Sequence, residues 1–418
     1  MIKLLLLCIL ISSCTYLIPK KNLGGAVNLQ MITKQDNYCK SKTSFELIDN
    51  GPYTQKVFKI FLKKVKAQEK LSSTDEFILW SFFQMNTRPD LSSPSSKFVS
   101  LYKDEGVTKY LEVSSTDNKA TTYPYLMGLH ILNKELKNKR SLLRLALIFD
   151  RYAPNYFKIN HEFADFLQKN AQTILKDKYT KKVFSRGGEI LKEGETIPKL
   201  LLSKILLRLK PYLKDANYKV KRTLFKYQAT PLLEVQCNYD FKLYNSSIYL
   251  INEELIKSNF YGYKSNGSSF FVSSLLQSDK LELIEKTFLV KGKSKMQSPA
   301  VCFYNNKKKN IWLFSDNSRD PGQHLFHLMK YGLDQVQSTS QLNEFLSFSR
   351  HLILRSPLRL IFESKRGSKS QLDQLLKLSI PTYNANNLGN IWLYYNTPKN
   401  DGHFFYDPRN KGQLTCQP

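Results

Sequence analysis

Cys302-Phe303-Tyr304-Asn305, a lysine-rich loop, and then Asn310-Ile311-Trp312-Leu313 form the stretch whose reading decides the fold class. Aromatic and β-branched residues suit a pleated, half-buried surface, and the Asn and Lys between them suit a turn, so the stretch reads as a β-hairpin. The same order recurs on either side of it. Upstream, Cys237-Asn238-Tyr239-Asp240 leads to Ser247-Ile248-Tyr249-Leu250; downstream, Thr382-Tyr383-Asn384 leads to Asn390-Ile391-Trp392-Leu393. The last two copies also have similar C-terminal flanks, Arg319-Asp320-Pro321-Gly322-Gln323-His324 beside Lys399-Asn400-Asp401-Gly402-His403. Copies spaced this widely are too long for a solenoid or propeller unit. Helices are expected between them at Phe270–Lys286 and Gln323–Leu333, and a strand at Leu358–Phe362 precedes a helix over Gln371–Leu378. The expected fold class is therefore α+β or α/β, with the repeated hairpin units sharing a sheet in an α/β domain over residues 223–418.

Upstream of about residue 222 the vocabulary turns helical. Val57, Phe58, Ile60, Phe61 and Val65 recur at near-helical spacing among lysines, which gives one apolar stripe and one cationic face. Ser73-Thr74-Asp75-Glu76 has capping-box order, with Ser as N-cap and Glu three residues on, so a helix starts there and ends by Thr87-Arg88-Pro89. Residues 89–97, two prolines among serines, read as a loop. Further helices are expected at 125–132, 142–148 and 160–176, and a cationic one at 198–214 that opens on Pro198. Residues 39–222 thus read as a mostly helical domain, joined to the next through the basic segment 214–226.

The start of the chain is an address. Lys3 precedes the apolar run Leu4-Leu5-Leu6-Leu7-Cys8-Ile9-Leu10-Ile11, which at eight residues is far short of the roughly 20 needed to span a bilayer as a helix. Ile11-Ser12-Ser13-Cys14 resembles the lipobox of bacterial lipoproteins. The resemblance implies a signal peptide over 1–13, acylation (palmitate among the chains) at Cys14, a lipidated tether over 14–38, and a protein held at a cell-envelope membrane. With Thr15 rather than Asp after the cysteine, it further implies the outer membrane.

Lys and Arg exceed Asp and Glu by 28, a surplus that attracts polyanions. In an envelope those are lipid headgroups or anionic polymers, and nucleic acid is not expected, since no nucleic-acid-binding module is apparent. Lys307-Lys308-Lys309 in the central hairpin's loop and Lys365-Arg366 after the strand at 358–362 are the candidate anion contacts. Six cysteines become four once Cys8 leaves with the signal and Cys14 takes lipid: Cys39, Cys237, Cys302 and Cys416. In an oxidising compartment these suggest two disulfides with three possible connectivities, and the tendency of chain ends to lie together favours Cys39–Cys416 with Cys237–Cys302.

Catalytic chemistry has one set of candidates, His324 with Asp320 and His403 with Asp401, which duplicated halves could bring together as nucleophile and general acid. The alternation of strands and helices around a repeated His resembles phospholipase D-like proteins, whose halves each carry H-x-K-x-x-x-x-D. None of the six histidines has Lys two residues on, so any likeness is to a degenerate architecture. His161-Glu162 starts like a zinc-protease helix but has Asp165 where a second His is needed, and His324 with His327 could at most form a metal edge; no metal or cofactor is expected. The functional expectation is a lipid-anchored envelope protein acting as a binding or structural module for an anionic component or partner, with an envelope hydrolase using His324 and His403 as the alternative.

Overall fold

A computed structural model of the chain describes Cys39 and residues 45–49, 52–104, 107–115, 122–213, 218–225, 234–238, 258–265, 268–275, 281–284, 287–290, 300–306, 309–316 and 321–330, and with interruptions 333–417. Cys14 and the tether lie outside the described residues.

Fifteen of the strands among the described residues carry the architecture. In chain order they are β1 Phe45–Asp49, β2 Lys97–Asp104, β3 Val107–Ser115, β4 Tyr218–Phe225, β5 Glu234–Cys237, β6 Asn259–Ser265, β7 Ser268–Leu275, β8 Ala300–Asn306 and β9 Lys309–Asp316. They continue with β10 His351–Arg355, β11 Leu358–Phe362, β12 Thr382–Asn384, β13 Asn390–Thr397, β14 Asn400–Phe405 and β15 Gln413–Gln417. Seven form one sheet in the order β15-β1-β6-β7-β2-β3-β4, and five form a second in the order β14-β13-β9-β8-β5. Every pairing in these two sheets is antiparallel.

Period-two alternation then builds the layers. In β6, Phe260 joins a cluster with Ile48, Phe271, Phe314, Trp392 and Phe404 between the two sheets, while Tyr261 and Tyr263 face a helical layer. The sheets press together on aromatic rings: Phe260 stacks on Trp392 with centroids 4.2 Å apart, and Phe271 meets Phe404 at 4.6 Å. Gly262 makes this approach possible, since a Cβ there would lie 2.6 Å from Ile48 Cγ2 and 2.8 Å from the Phe271 ring.

On the outer face of the seven-stranded sheet lie α1 Pro52–Lys66, α2 Ser73–Thr87, α3 Pro124–Glu135, α4 Leu142–Tyr152, α5 His161–Lys169 and α6 Leu202–Leu209. Among them α2 is apolar nearly all round and accordingly central: Trp80 and Phe83 pack on Phe58 of α1, and Phe82 on Phe149 of α4. The five-stranded sheet is covered by α7 Pro321–Lys330, whose Leu325 and Leu328 pack with Cys302, Ile311 and Leu393. The result is a four-layer helix–sheet–sheet–helix sandwich. A small sheet, β10-β11-β12, and α8 Lys369–Leu376 flank it.

The mixed α+β class and the hairpin at 302–313 are as the sequence indicates. Both disulfides form, Cys39–Cys416 and Cys237–Cys302. Other expectations are corrected. The segment from Phe270 is strand β7, since Phe270-Phe271-Val272 is buried on both faces, and a doubly buried strand has no polar alternation to distinguish it from a helix. The copy at Thr382 is no hairpin: β12 pairs in parallel with β11, whereas β13 lies beside β9. The capping box is built one residue earlier than expected, with Ser72 Oγ accepting from Asp75 N at 3.1 Å and Asp75 Oδ2 accepting from Ser72 N at 2.9 Å. Pro198 ends a short strand rather than opening α6. The 222/223 junction falls inside β4, and the seven-stranded sheet draws strands from both sides of it.

Candidate active site

At one end of the sandwich, β6 begins beside the last residues of β7 and the first of β2: Asn259 faces Ser274, which faces Phe98, and Leu275 faces Lys97. Ser258 immediately precedes β6 and is 2% exposed. Alternation assigns it to the face of Phe260, between the sheets. On the same face, at the start of β2, Lys97 Nζ lies 2.7 Å from Glu112 Oε1 of β3. Two strand spacings separate Lys97 from β6, about 10 Å.

Burial alone would raise the Glu112 carboxyl; Lys97, the hydrogen bond from Tyr110 and Lys221 reverse this and hold it below its ordinary value. Tyr110 donates to Glu112 at 2.6 Å and accepts from Asn238 Nδ2 at 3.2 Å, and burial next to that carboxylate keeps its phenol protonated far above its usual range. Beyond it, Tyr110, Lys221, Thr223, Gln236, Cys237 and Asn238 line a cleft of about 440 Å3 at the β4/β5 edge, within the size range of small-ligand pockets.

Behind Ser258, toward the helices, the side chain of Asn259 enters a buried polar network. Its Nδ2 donates to Gln84 Oε1 of α2 at 2.9 Å and to Ser92 Oγ at 2.8 Å, and Ser92 Oγ also meets Ser274 Oγ at 2.8 Å. Gln84 Nε2 donates in turn to Asp49 Oδ2 at 3.2 Å, while Gln55 Nε2 donates to Asp49 Oδ1 at 2.7 Å. Thr415 of β15 closes the chain by donating to Gln55 Oε1 at 2.6 Å. The loop expected at 89–97 is a loop as far as Ser96, yet Asp90, Ser92, Ser93, Ser95 and Ser96 are all buried in it. Its serines are packing and hydrogen-bonding groups, not solvated turn residues.

The histidines chosen from sequence do not form a pair. His324 is 2% exposed on α7, in the helical layer over the five-stranded sheet. His403, on β14, places Nδ1 3.0 Å from Glu46 Oε1. That carboxylate also lies 3.4 Å from Lys264 Nζ and accepts from Phe404 N at 3.0 Å, and Lys264 donates to Gly402 O at 2.7 Å. His403 thus belongs to a buried polar staple between the two sheets, with Gly402 at φ +74° as the Asp-Gly turn requires. Asp320 and the side chain of Asp401 lie outside the described residues.

Of the candidate anion contacts, Lys309 is corrected: it is 6% exposed, and its Nζ donates to Val336 O at 2.8 Å and Leu333 O at 3.2 Å, so it ties a loop to the sheet. Lys307, Lys308, Lys365 and Arg366 lie outside the described residues. Among the described residues no cluster of three His, Cys, Asp or Glu side chains is placed to hold a metal.

Sequence reasoning passed over Ser258, Asn259 and Ser92. The available signal was the change at Ser258 from a polar, Asn- and Lys-containing stretch to Phe260-Tyr261-Gly262-Tyr263, where a strand start carries a hydroxyl residue.

This stacked-sheet sandwich is an Ntn-hydrolase-like fold. In particular, a cephalosporin acylase from Bacillus halodurans superimposes with TM-score 0.64 at 9% identity, over 92% of this chain and 97% of that one. A structure described as LmbA2991HD does so with TM-score 0.61 at 8% identity, over 93% of this chain and 100% of that one. The sequence itself matches no protein-family profile and no curated protein. At these identities the likeness is one of fold. It nevertheless overturns the expectation of a binding or structural module, because the whole architecture is shared with an enzyme. The phospholipase D-like alternative falls as well: its two histidines occupy separate structural roles.

Proposed function

We propose that the protein is a hydrolase or acyl-transfer enzyme acting on amide bonds, with Ser258 as its nucleophile once the Lys257–Ser258 peptide bond has been cut. The position of Ser258 carries the reading: a nearly buried hydroxyl at the head of an inner strand, on the inter-sheet face of a sandwich shared with an acylase. Maturation needs only the chain and water. Ser258 Oγ adds to the Lys257 carbonyl carbon, the C–N bond breaks with the proton passing to nitrogen, and water hydrolyses the ester to leave a Lys257 carboxylate and a free Ser258 α-amine.

That amine then acts as the base, taking the Oγ proton as Oγ attacks a substrate amide carbonyl. The departing amine leaves with a proton, and water or a second amine releases the acyl group. Lys97 and the Tyr110–Glu112 pair supply charge and hydrogen bonds on the same face, and the cleft beside Tyr110 offers space for a substrate arm. Both disulfides join residues on opposite sides of the 257/258 bond, so the cut protein stays one covalent unit. In the same reading, acylation of Cys14 holds the enzyme at an envelope membrane, and its substrate is an amide found there.

The test is turnover of a panel of acyl-p-nitroanilides and β-lactam side-chain amides by the purified protein. Ser258→Ala, with its melting temperature unchanged, is expected to lose at least about 100-fold in kcat/KM. Equal turnover by parent and variant would reject Ser258 as nucleophile.

A further inference from the structure

The hydrogen bonds behind Ser258 fix the orientation of two side-chain amides whose oxygen and nitrogen ends are otherwise interchangeable. Asp49, as a carboxylate, only accepts, so the end of Gln84 that faces it is Nε2, at 3.2 Å. Gln84 then presents Oε1 to Asn259, and the end of Asn259 that faces it is Nδ2, at 2.9 Å. Ser92 Oγ takes a second bond from the same Nδ2. Consequently Asn259 Oδ1 points away from its clamp, buried and without a hydrogen-bond partner among the described residues. A buried acceptor left open is uncommon, and it asks for a donor.

We propose that Asn259 is the positioning residue for the α-amine of Ser258, with Oδ1 accepting a hydrogen bond from that amine in the cut protein. The role rests on the nucleophile reading above. The amine belongs to the neighbouring residue in the chain, and cutting the 257/258 bond turns an amide N–H into a group with two or three donors, one of which can turn toward Oδ1. Held so, the amine keeps its lone pair directed at Ser258 Oγ. The relay runs from β15 and α1 through Asp49 and Gln84 to Asn259, each link between 2.6 and 3.2 Å. An acceptor favours the protonated form, so Oδ1 raises the basicity of the amine above what the same site without it would give.

Competitive acetylation with acetic anhydride across pH, read by mass on the peptide that begins at Ser258, reports the titration of this amine without any substrate. Asn259→Ala is expected to move its midpoint to lower pH by at least about half a unit, because a bond to the charged form is lost. Ser92→Ala, a milder change that loosens the clamp and keeps the fold if Asn259→Ala does not, should move it the same way by less. Midpoints identical to the parent in both variants would overturn the role of Asn259 and leave the nucleophile reading standing. A parent chain uncut at 257/258 has no such peptide, and that result would overturn both.

Discussion

His351 shows how a single buried group sets a pH dependence. On β10 it is 5% exposed, and desolvation pushes its imidazole down to about 4. In the unfolded chain it titrates near 6.5, so between those values the unfolded state binds a proton that the folded state refuses. Stability is complete above about pH 6.5 and is lost as pH falls toward 4, by a few kcal/mol in all. Urea unfolding across that window should show the decline, and His351→Phe should flatten it; a wild-type curve already flat there would refute the assignment. The other histidines teach what sequence can miss at this scale. His324 and His403 looked equivalent because Asp and Gly precede both within a few residues, yet one is helix packing and the other binds Glu46. Nothing in residue order distinguishes a histidine that titrates into a cleft from one that closes a buried ion pair. Ser258, by contrast, has no motif around it, and only its place at the head of an inner strand gives it meaning.

Elements were legible where a local signal marks them, a turn or capping residue beside an apolar run. The helices α3, α4 and α8, the hairpin β8–β9 and strand β11 all lie where periodicity places them, within a few residues. Reading failed in β7, which with β6 meets α2 on its outer face and the second sheet on its inner face. Such strands show no alternation, and although they pair with each other, their outer neighbours β1 and β2 lie far off in sequence. Between these sheets Glu46 and Lys264 sit directly opposite one another on β1 and β6, 0% and 2% exposed. Two buried charges are costly unless both remain paired, so removing one is worse than removing both. Lys264→Met should lower stability by about 3–5 kcal/mol, and adding Glu46→Gln should recover part of that loss. Denaturant melts of the single and double variants check this, and additive losses would contradict the coupling. A second buried ionic group anchors the start of β13: Arg350 and Arg409 hold Asp407, which accepts from Ile391 N at 2.8 Å. Burial would raise the Asp407 carboxyl, and the two guanidiniums more than reverse this.

For the whole molecule, the first and last described strands share one sheet, with β15 beside β1 and the Cys39–Cys416 bridge closing the pair. That closure was legible from cysteine arithmetic and the habit of termini to meet. The four-layer sandwich was not, because repeated hairpins describe local pairing and say nothing of a second sheet stacked on the first. Sequence also suggested a surface built for polyanions, where the fold is one shared with an acylase. The central claim, that Ser258 becomes a chain terminus, is tested most directly by the intact mass of the purified protein with and without reduction. Both bridges cross the proposed cut, so one species is expected without reductant. With reductant two are expected, one ending at Lys257 and one running from Ser258 to Pro418. A single full-length chain under both conditions would contradict the account.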